Sequence, residues 1–324
     1  MQKILITGAG GFIGSHLVED ALRRGLTVRA FVHYNSLGTA GWLDHSPHRD
    51  EVEIVQGDVR DFDSVSSALR GCDTVFHLAA LIGIPYSYVS PVAYIRTNVE
   101  GTYNVLRASQ EQGGVRVLIT STSETYGTAQ YVPIDERHPP NAQSPYAATK
   151  VGADQLALTF HRAFGLDVRL VRPFNTYGPR QSARAIIPTI VSQILSGRTV
   201  LRLGSLEPTR DLTFVGDTVA GFLAIAGTDA CIGTATNIGM NAEISVGDLA
   251  RKIAALMDRE VSFEVDPKRV RPADSEVERL HCDHSRLRDL TGWTPTWTLD
   301  AGLSATIAWL GENTAMYRAD RYAV

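Results

Sequence analysis

Two clusters of reactive side chains stand out in this chain: Thr122-Ser123-Glu124, and Tyr146 with Lys150 four positions on. A phenol with its ordinary pKa near about 10 is a poor base at neutral pH, but a Lys ammonium close by favours the phenolate. Such a pair, helped by a hydroxyl such as Thr122, can take the proton of an alcohol while a hydride leaves the carbon that bears it. Glu124 has no part in that simple oxidation. A carboxylate at the same place suits the removal of a carbon-bound proton, and with it the elimination of water.

The elements that must position these groups can be read around them. Ser144 supplies an N-cap, Pro145 a first helical turn and Gly165 a stop, so residues 146–164 form a helix with Tyr146 and Lys150 on one face. Residues 117–120 form an apolar strand running into Ser121-Thr122-Ser123-Glu124-Thr125-Tyr126-Gly127, whose polar groups then face a crevice. A Ser/Thr-rich turn accounts for the hydroxyls by itself, whereas Glu124 has no helix or core task there. Further β-branched runs at 4–7, 28–32, 52–55, 74–78, 115–120 and 168–171 alternate with helical stretches. Their apolar character throughout points to helices on both faces, hence an α/β fold with a Rossmann-like doubly wound parallel sheet. After Arg172-Pro173-Phe174-Asn175 prolines and glycines crowd together and short strands such as 199–203 appear. We read residues 1–175 as a dinucleotide-binding domain, with a helix returning to it near 214–226, and 176–324 as a smaller α/β substrate-binding lobe that closes the crevice.

Gly8, Gly11 and Gly14 follow the first strand and open a helix over 12–24, so Phe12 and Ile13 sit at its N-terminus. Such a loop turns tightly and lets backbone N–H groups reach a pyrophosphate, which side chains would obstruct. A cationic nicotinamide held there adds to the pull toward phenolate at Tyr146. The second strand ends Phe31-Val32-His33-Tyr34-Asn35 without the acid that usually holds an NAD ribose. That absence leans toward NADP over NAD, with His33, Asn35 or Arg29 near a 2′-phosphate. Asp58 and Val59, and the stretch His77-Leu78-Ala79-Ala80, fall at strand ends facing the same crevice. For His77, a cofactor contact and a packing role both stay open.

With 324 residues, 44% of them hydrophobic, and a formal charge of −4, the chain can bury a large core and lacks the basic surface that nucleic acid or an anionic membrane requires. Cys72, Cys231 and Cys282 are odd in number and widely spaced, so neither a disulfide framework nor a metal site is expected. The first apolar stretch is cut by Gly8 and no membrane-length apolar run follows, so a cytoplasmic protein is expected.

These motifs together resemble the extended short-chain dehydrogenases/reductases, and within them the nucleotide-sugar 4,6-dehydratases. The likeness covers nearly the whole chain: the glycine loop at 8–14, Thr122, Tyr146 and Lys150, the stretch Arg172-Pro173-Phe174-Asn175-Thr176-Tyr177-Gly178-Pro179-Arg180, and Arg210-Asp211-Leu212-Thr213-Phe214. The stretches 121–127, Gln143-Ser144-Pro145-Tyr146 and Arg271-Pro272-Ala273-Asp274-Ser275-Glu276-Val277 are most similar to the dehydratases of the legionaminic acid pathway, which act on GDP-N-acetylglucosamine. The resemblance implies that Tyr146, assisted by Thr122 and Lys150, takes the C4 hydroxyl proton as the cofactor takes the hydride. Glu124 then removes the C5 proton, water leaves C6, and the hydride returns there. Where glucose-type relatives carry an acidic Asp for the leaving hydroxyl, this chain has Ser123, so that acid is unassigned and Glu124 could serve. Asn175, Arg210 and Arg271 are implied as diphosphate ligands, with Arg180 and Arg184 as further candidates, bidentate Arg being suited to phosphate oxygens. The helices over 93–112 and 145–164 resemble the pair that forms four-helix homodimers in this superfamily.

Thr-Ser-Glu is also found in UDP-glucuronate decarboxylases, which rank second, but no Arg beyond the phosphate set is singled out for a C6 carboxylate. A 4-epimerase is third, since it has no use for Glu124, and a catalytically idle nucleotide-binding protein last, since it has no need of all four reactive groups. The base is not legible, with GDP favoured over UDP or another nucleoside diphosphate.

Overall fold

The computed structural model describes residues 1–317. The N-terminal part alternates strand and helix: β1 (Lys3–Thr7), α1 (Phe12–Arg23), β2 (Thr27–His33), β3 (Glu53–Gly57), α2 (Phe62–Leu69), β4 (Thr74–His77), α3 (Ile84–Val89), α4 (Pro91–Tyr94), α5 (Gly101–Gln112), β5 (Arg116–Thr120), α6 (Pro145–Phe164) and β6 (Val168–Pro173). Short paired strands and helices follow: β7 (Asn175–Tyr177), α7 (Ile186–Leu195), β8 (Val200–Leu203), β9 (Thr209–Arg210), β10 (Leu212–Phe214) and α8 (Val215–Gly227). The remainder is β11 (Ala235–Ile238), β12 (Ile244–Ser245), α9 (Val246–Leu256), β13 (Ser262–Val265), α10 (Ser285–Thr291) and α11 (Leu299–Glu312).

Seven strands form one sheet in the order β11-β6-β5-β4-β1-β2-β3, every pair parallel. Strand order reverses between β1 and β4, and the carboxyl ends at that point open the crevice where doubly wound sheets take ligands. The uninterrupted apolar strands have the expected cause. Ile4, Ile6 and Leu118 pack into the core beneath α1 and α8, whereas Leu5, Val117 and Ile119 pack into the opposite core with α2, α5 and α6. Alternate residues point to opposite faces and both faces are covered, so each is buried. Truncating one of them, such as Leu118 to Ala, would remove about 2–5 kcal/mol of stability.

The return to the first lobe is longer than the expected helix. After α8, β11 joins the sheet edge beside β6, with Ala235 opposite Leu170 and Ile238 opposite Pro173. The run Ala-Thr-Asn-Ile hides this strand because its polar members are buried for hydrogen bonding: the Asn237 amide donates to the Ile134 carbonyl at 3.1 Å, and its carbonyl accepts from the Tyr126 hydroxyl at 2.8 Å. One apolar cluster continues from β1 and α1 through α8 to Leu201, Leu249 and Ile253, so the two lobes share a core rather than meeting at a linker.

The helix expected over 93–112 widens into a π-helical turn at Ile95–Glu100. Inside that turn, buried Asn98 exchanges hydrogen bonds with the Leu81 backbone at 2.9 and 3.0 Å and donates to Thr149 Oγ1 at 3.0 Å. The extra residue in the turn thereby ties the segment after β4 to the helix of Tyr146 and Lys150. Among the described residues no helix is long and apolar enough to cross a membrane, and no group of three His, Cys, Asp or Glu residues could hold a metal ion.

Candidate active site

A cavity of about 1050 Å³ runs from the glycine loop across the strand ends to β9 and the segment around Arg271. At one end Gly8 takes a φ of +69°, where a Cβ would lie 2.8 Å from the Ala79 nitrogen. A Cβ on Gly14 would lie 2.2 Å from the Gly8 carbonyl oxygen, so the loop and α1 can approach only without one. Gly11 begins α1 with no side chain capping it, which leaves first-turn N–H groups pointing into the cavity as an anion site. Phe12, Ile13, His33, Asp58 and Val59 line this end, and Leu78, Ala79 and Ala80 continue the wall. The residues therefore fit a dinucleotide: a side-chain-free cradle for its pyrophosphate, and an elongated cavity above the limit of about 1,000 Å³ common for small-ligand pockets.

Two sequence expectations at this end change, those for Asn35 and Arg29, and the open choice for His77 is narrowed. Asn35 lines the cavity, but its amide nitrogen donates to the His33 and Thr39 carbonyls and its oxygen accepts from Leu37 and Thr39, so it builds its own loop. Arg29 points the other way, to Glu53 at 2.9 Å and to the Ala68 and Arg70 carbonyls. His77 is buried between the Thr7 and Thr102 hydroxyls at 2.8 and 3.2 Å, and burial pushes it down to about 3, so it is a neutral packing residue. Arg60 is a lining residue that the sequence reading missed. It is paired with Asp58, whose carboxyl is held down chiefly by that hydrogen bond.

At the centre, Tyr146 lies in the first turn of α6 behind the Ser144 cap, which accepts from Ala147 at 3.1 Å. Its ring meets Tyr94 edge to face. Burial pushes the phenol up, the nearby Thr122 hydroxyl opposes this, and the Glu124 charge adds to the rise. The protein's own groups thus leave the phenol above its ordinary value, burial being the largest cause. The Lys150 ammonium donates to the Thr120 carbonyl, and burial brings it down to about 8 against the opposing pull of Asp154. Glu124 sits in a short helical turn, Ser123–Thr125, where its N–H donates to Thr122 Oγ1 at 3.3 Å. Its side chain is nearly buried, lines the cavity with Tyr146 and Lys150, and enters no ion pair among the described residues.

Behind this centre lies a buried charge network that the sequence did not reveal. Asp154, one helical turn past Lys150, accepts from Arg172 at 2.9 Å and from Ser121 at 2.7 Å, and Arg172 donates to the Tyr126 hydroxyl at 3.0 Å. Asp154→Asn would leave the Arg172 charge buried without a counter-ion, so a loss of about 3 kcal/mol is expected. Urea unfolding checks this, and a change near zero would show that the pair adds nothing. The same variant removes the group that holds Lys150 up, so activity should fall off at a lower pH than in the parent.

At the far end, Arg210 and Arg271 share one carboxylate, Glu276, at 3.1 and 3.4 Å, and all three line the cavity with Asn175. Burial lowers the Arg210 guanidinium, while Glu124 and Glu276 favour its charge. The Asn175 side-chain oxygen is buried with no partner, an acceptor left for a ligand donor. Arg184 also lines the cavity, with its guanidinium where a Cβ on Gly83 would be, 2.9 Å from Nη1. Arg180 does not join them. Its backbone has a φ of 69° and its side chain bonds Glu19 at 2.8 Å and Ser15 at 3.2 Å on α1, so it is a structural tie.

Comparison with known proteins places this arrangement. Residues 5–306 match the family described as GDP-mannose 4,6 dehydratase. The dTDP-glucose 4,6-dehydratase of Streptomyces antibioticus is 34% identical over 98% of this chain and 94% of its own length. A UDP-glucose 4-epimerase of Mycolicibacterium smegmatis is 33% identical over 94% and 97%. The structure of the dTDP-glucose 4,6-dehydratase DesIV from Streptomyces venezuelae, solved with NAD bound, superposes with a TM-score of 0.88 at 29% identity, covering 98% of this chain and 99% of that one. The chain belongs to the GDP-mannose 4,6 dehydratase family of extended short-chain dehydrogenases/reductases.

Proposed function

We propose that this protein is a nucleotide-sugar 4,6-dehydratase, converting a nucleoside-diphosphate hexose to its 4-keto-6-deoxy form. The observation that carries the reading is Glu124, a nearly buried carboxylate outside any ion pair, in one cavity with Tyr146, Thr122 and Lys150. Tyr146, with the Thr122 hydroxyl beside it favouring its phenolate, accepts the proton of the C4 hydroxyl. A nicotinamide dinucleotide held along the glycine loop and the Leu78–Ala80 wall would supply the hydride acceptor for C4 and the hydride donor for C6. The resulting 4-keto group acidifies the C5 proton, which Glu124 removes. Glu124, now protonated, is the acid that Ser123 is not, and it delivers that proton to the departing C6 hydroxyl. When hydride reaches C6, C5 takes a proton back, balanced by the one Tyr146 drew from the C4 hydroxyl and now releases, so the side chains end as they began and one water is lost.

Arg210, Arg271 and the Asn175 side-chain N–H are assigned to the diphosphate, whose oxygens only accept, and the free Asn175 oxygen is left for a sugar hydroxyl. The favoured substrate is GDP-N-acetylglucosamine, on the likeness of residues 121–127 and 271–277. A dTDP or UDP hexose is the alternative, supported by the names of the relatives. For the cofactor, the structure weakens the lean toward NADP: Arg29 and Asn35 are engaged elsewhere, and Arg60 is neutralised by Asp58. Of the three candidates named from the sequence, His33 is left for a 2′-phosphate, and this reading prefers NAD. A homodimer through α4, α5 and α6 is supported by the exposed Val92, Ile95, Tyr103 and Phe164 along these helices. Sedimentation that finds monomer only at micromolar concentration would remove that part.

One observation favours a second reading. Arg184, a further diphosphate candidate by resemblance, is a cavity cation beside Gly83 that equally suits a sugar carboxylate, as a UDP-glucuronate decarboxylase requires. Incubation with GDP-N-acetylglucosamine, dTDP-glucose and UDP-glucuronate, followed by NMR of the products, separates the two. A 4-keto-6-deoxy sugar supports the dehydratase, and CO2 release from the uronate alone overturns it. Calorimetric titration with NAD and NADP tests the cofactor preference in the same preparation.

A further inference from the structure

Gln143 joins three parts of the site that are distant in sequence. Its side-chain oxygen accepts from the Thr128 N–H at 2.5 Å, just beyond the turn that carries Thr122 and Glu124. Its side-chain nitrogen donates to the carbonyls of Asp274 at 3.2 Å and Glu276 at 3.0 Å, in the segment that carries Arg271. Its own carbonyl accepts from the Ser275 hydroxyl at 2.5 Å, and the next residue, Ser144, caps the helix of Tyr146. The contact is close on the turn side, since a Cβ on Gly127 would lie 2.6 Å from the Gln143 oxygen and 2.2 Å from the Asn141 carbonyl. A primary amide is the group that can accept in one direction and donate in the other. The Glu276 carboxylate meanwhile holds both Arg210 and Arg271, so an anion that engages these arginines competes for them at the residue whose carbonyl Gln143 grips.

We propose that Gln143 is a positioning residue that links the segment bearing Arg271 and Glu276 to the turn bearing Thr122 and Glu124, so that an anion seated on Arg210 and Arg271 orders the catalytic turn. The link rests on the reading above, in which that anion is a nucleoside diphosphate. It works through main-chain hydrogen bonds, so it needs no side-chain contact between Gln143 and the substrate. Tyr88 supports the same segment from the other side, its hydroxyl 2.5 Å from that of Ser275.

Gln143→Glu tests the link, because a carboxylate keeps the acceptor for Thr128 but sets a negative oxygen against the two carbonyls. Deuterium exchange of the full chain is measured with and without GDP, UDP and dTDP, each added alone, and melting temperature checks the fold. In the parent, the nucleotide that binds should slow exchange in both 269–276 and 122–128. In the variant, protection should persist at 269–276 and fall by about fivefold at 122–128. Turnover should drop by about tenfold in kcat with little change in KM, as misplacement of a catalytic turn predicts. Gln143→Asn, one methylene short, should fail to restore the response. An unchanged response of 122–128 in Gln143→Glu, while nucleotide still binds, overturns the link alone. If none of the three nucleotides binds the parent, the substrate reading falls and the link with it.

Discussion

Glu124→Gln is expected to leave the folded protein and its dinucleotide binding intact and to lower product formation by about 10³-fold, within the range seen when a positioned general base is removed. That corresponds to about 4 kcal/mol of transition-state stabilisation. The amide matches the carboxylate in size but can neither take the C5 proton nor return it to the leaving oxygen. Oxidation at C4 does not need Glu124. On rapid mixing with substrate, nicotinamide absorbance should therefore rise and stay high instead of returning. The change also removes a negative charge near the Tyr146 hydroxyl, one of the causes that push the phenol up, so the first step should be no slower. Turnover equal to that of the parent would withdraw the base assignment.

Tyr146→Phe should have the second large effect, and at an earlier step. Without the hydroxyl the C4 proton has no acceptor, so a drop of about 10³- to 10⁴-fold is expected, with no rise in nicotinamide absorbance on mixing. The two variants thus give opposite optical signatures, and a rise in Tyr146→Phe would show that another group starts the reaction. Alkaline pH bears on the same step through Lys150. Its ammonium is brought down to about 8, so it is charged below that pH and loses its proton above it. The charge is the one that favours phenolate, and kcat/KM should decline as pH rises through about 8. A flat profile to pH 10 would separate the Lys150 charge from the chemistry.

Much of this site was legible because chemistry demands particular side chains at local spacings. Tyr146 and Lys150 lie one helical turn apart, so a cap at Ser144 and a stop at Gly165 suffice to place both on one face. Gly8 and Gly14 are required by backbone approach, which the residue type itself announces. The strands β1, β4 and β5 were legible for a related reason, since burial on both faces leaves their centres apolar: Ile4-Leu5-Ile6, Val75-Phe76 and Val117-Leu118-Ile119. β11 was missed because Thr236 and Asn237 look like loop residues until their partners are known.

Arginines show the limit most clearly. Arg29, Arg180, Arg184, Arg210 and Arg271 are chemically alike, and a linear reading cannot tell which guanidinium meets Glu19 on α1 and which shares Glu276 at the cavity. The same holds for Asp154 with Arg172, for Asn98 with Leu81, and for Gln143 with Asp274 and Glu276. By itself the sequence determined the parallel sheet, and it singled out the candidate reactive groups and the glycine loop, each of which rests on side-chain type and short-range period. Tertiary structure alone decided which charges are neutralised and which face the cavity. Ion pairing and desolvation depend on distances between residues far apart in the chain, and folding alone brings these together.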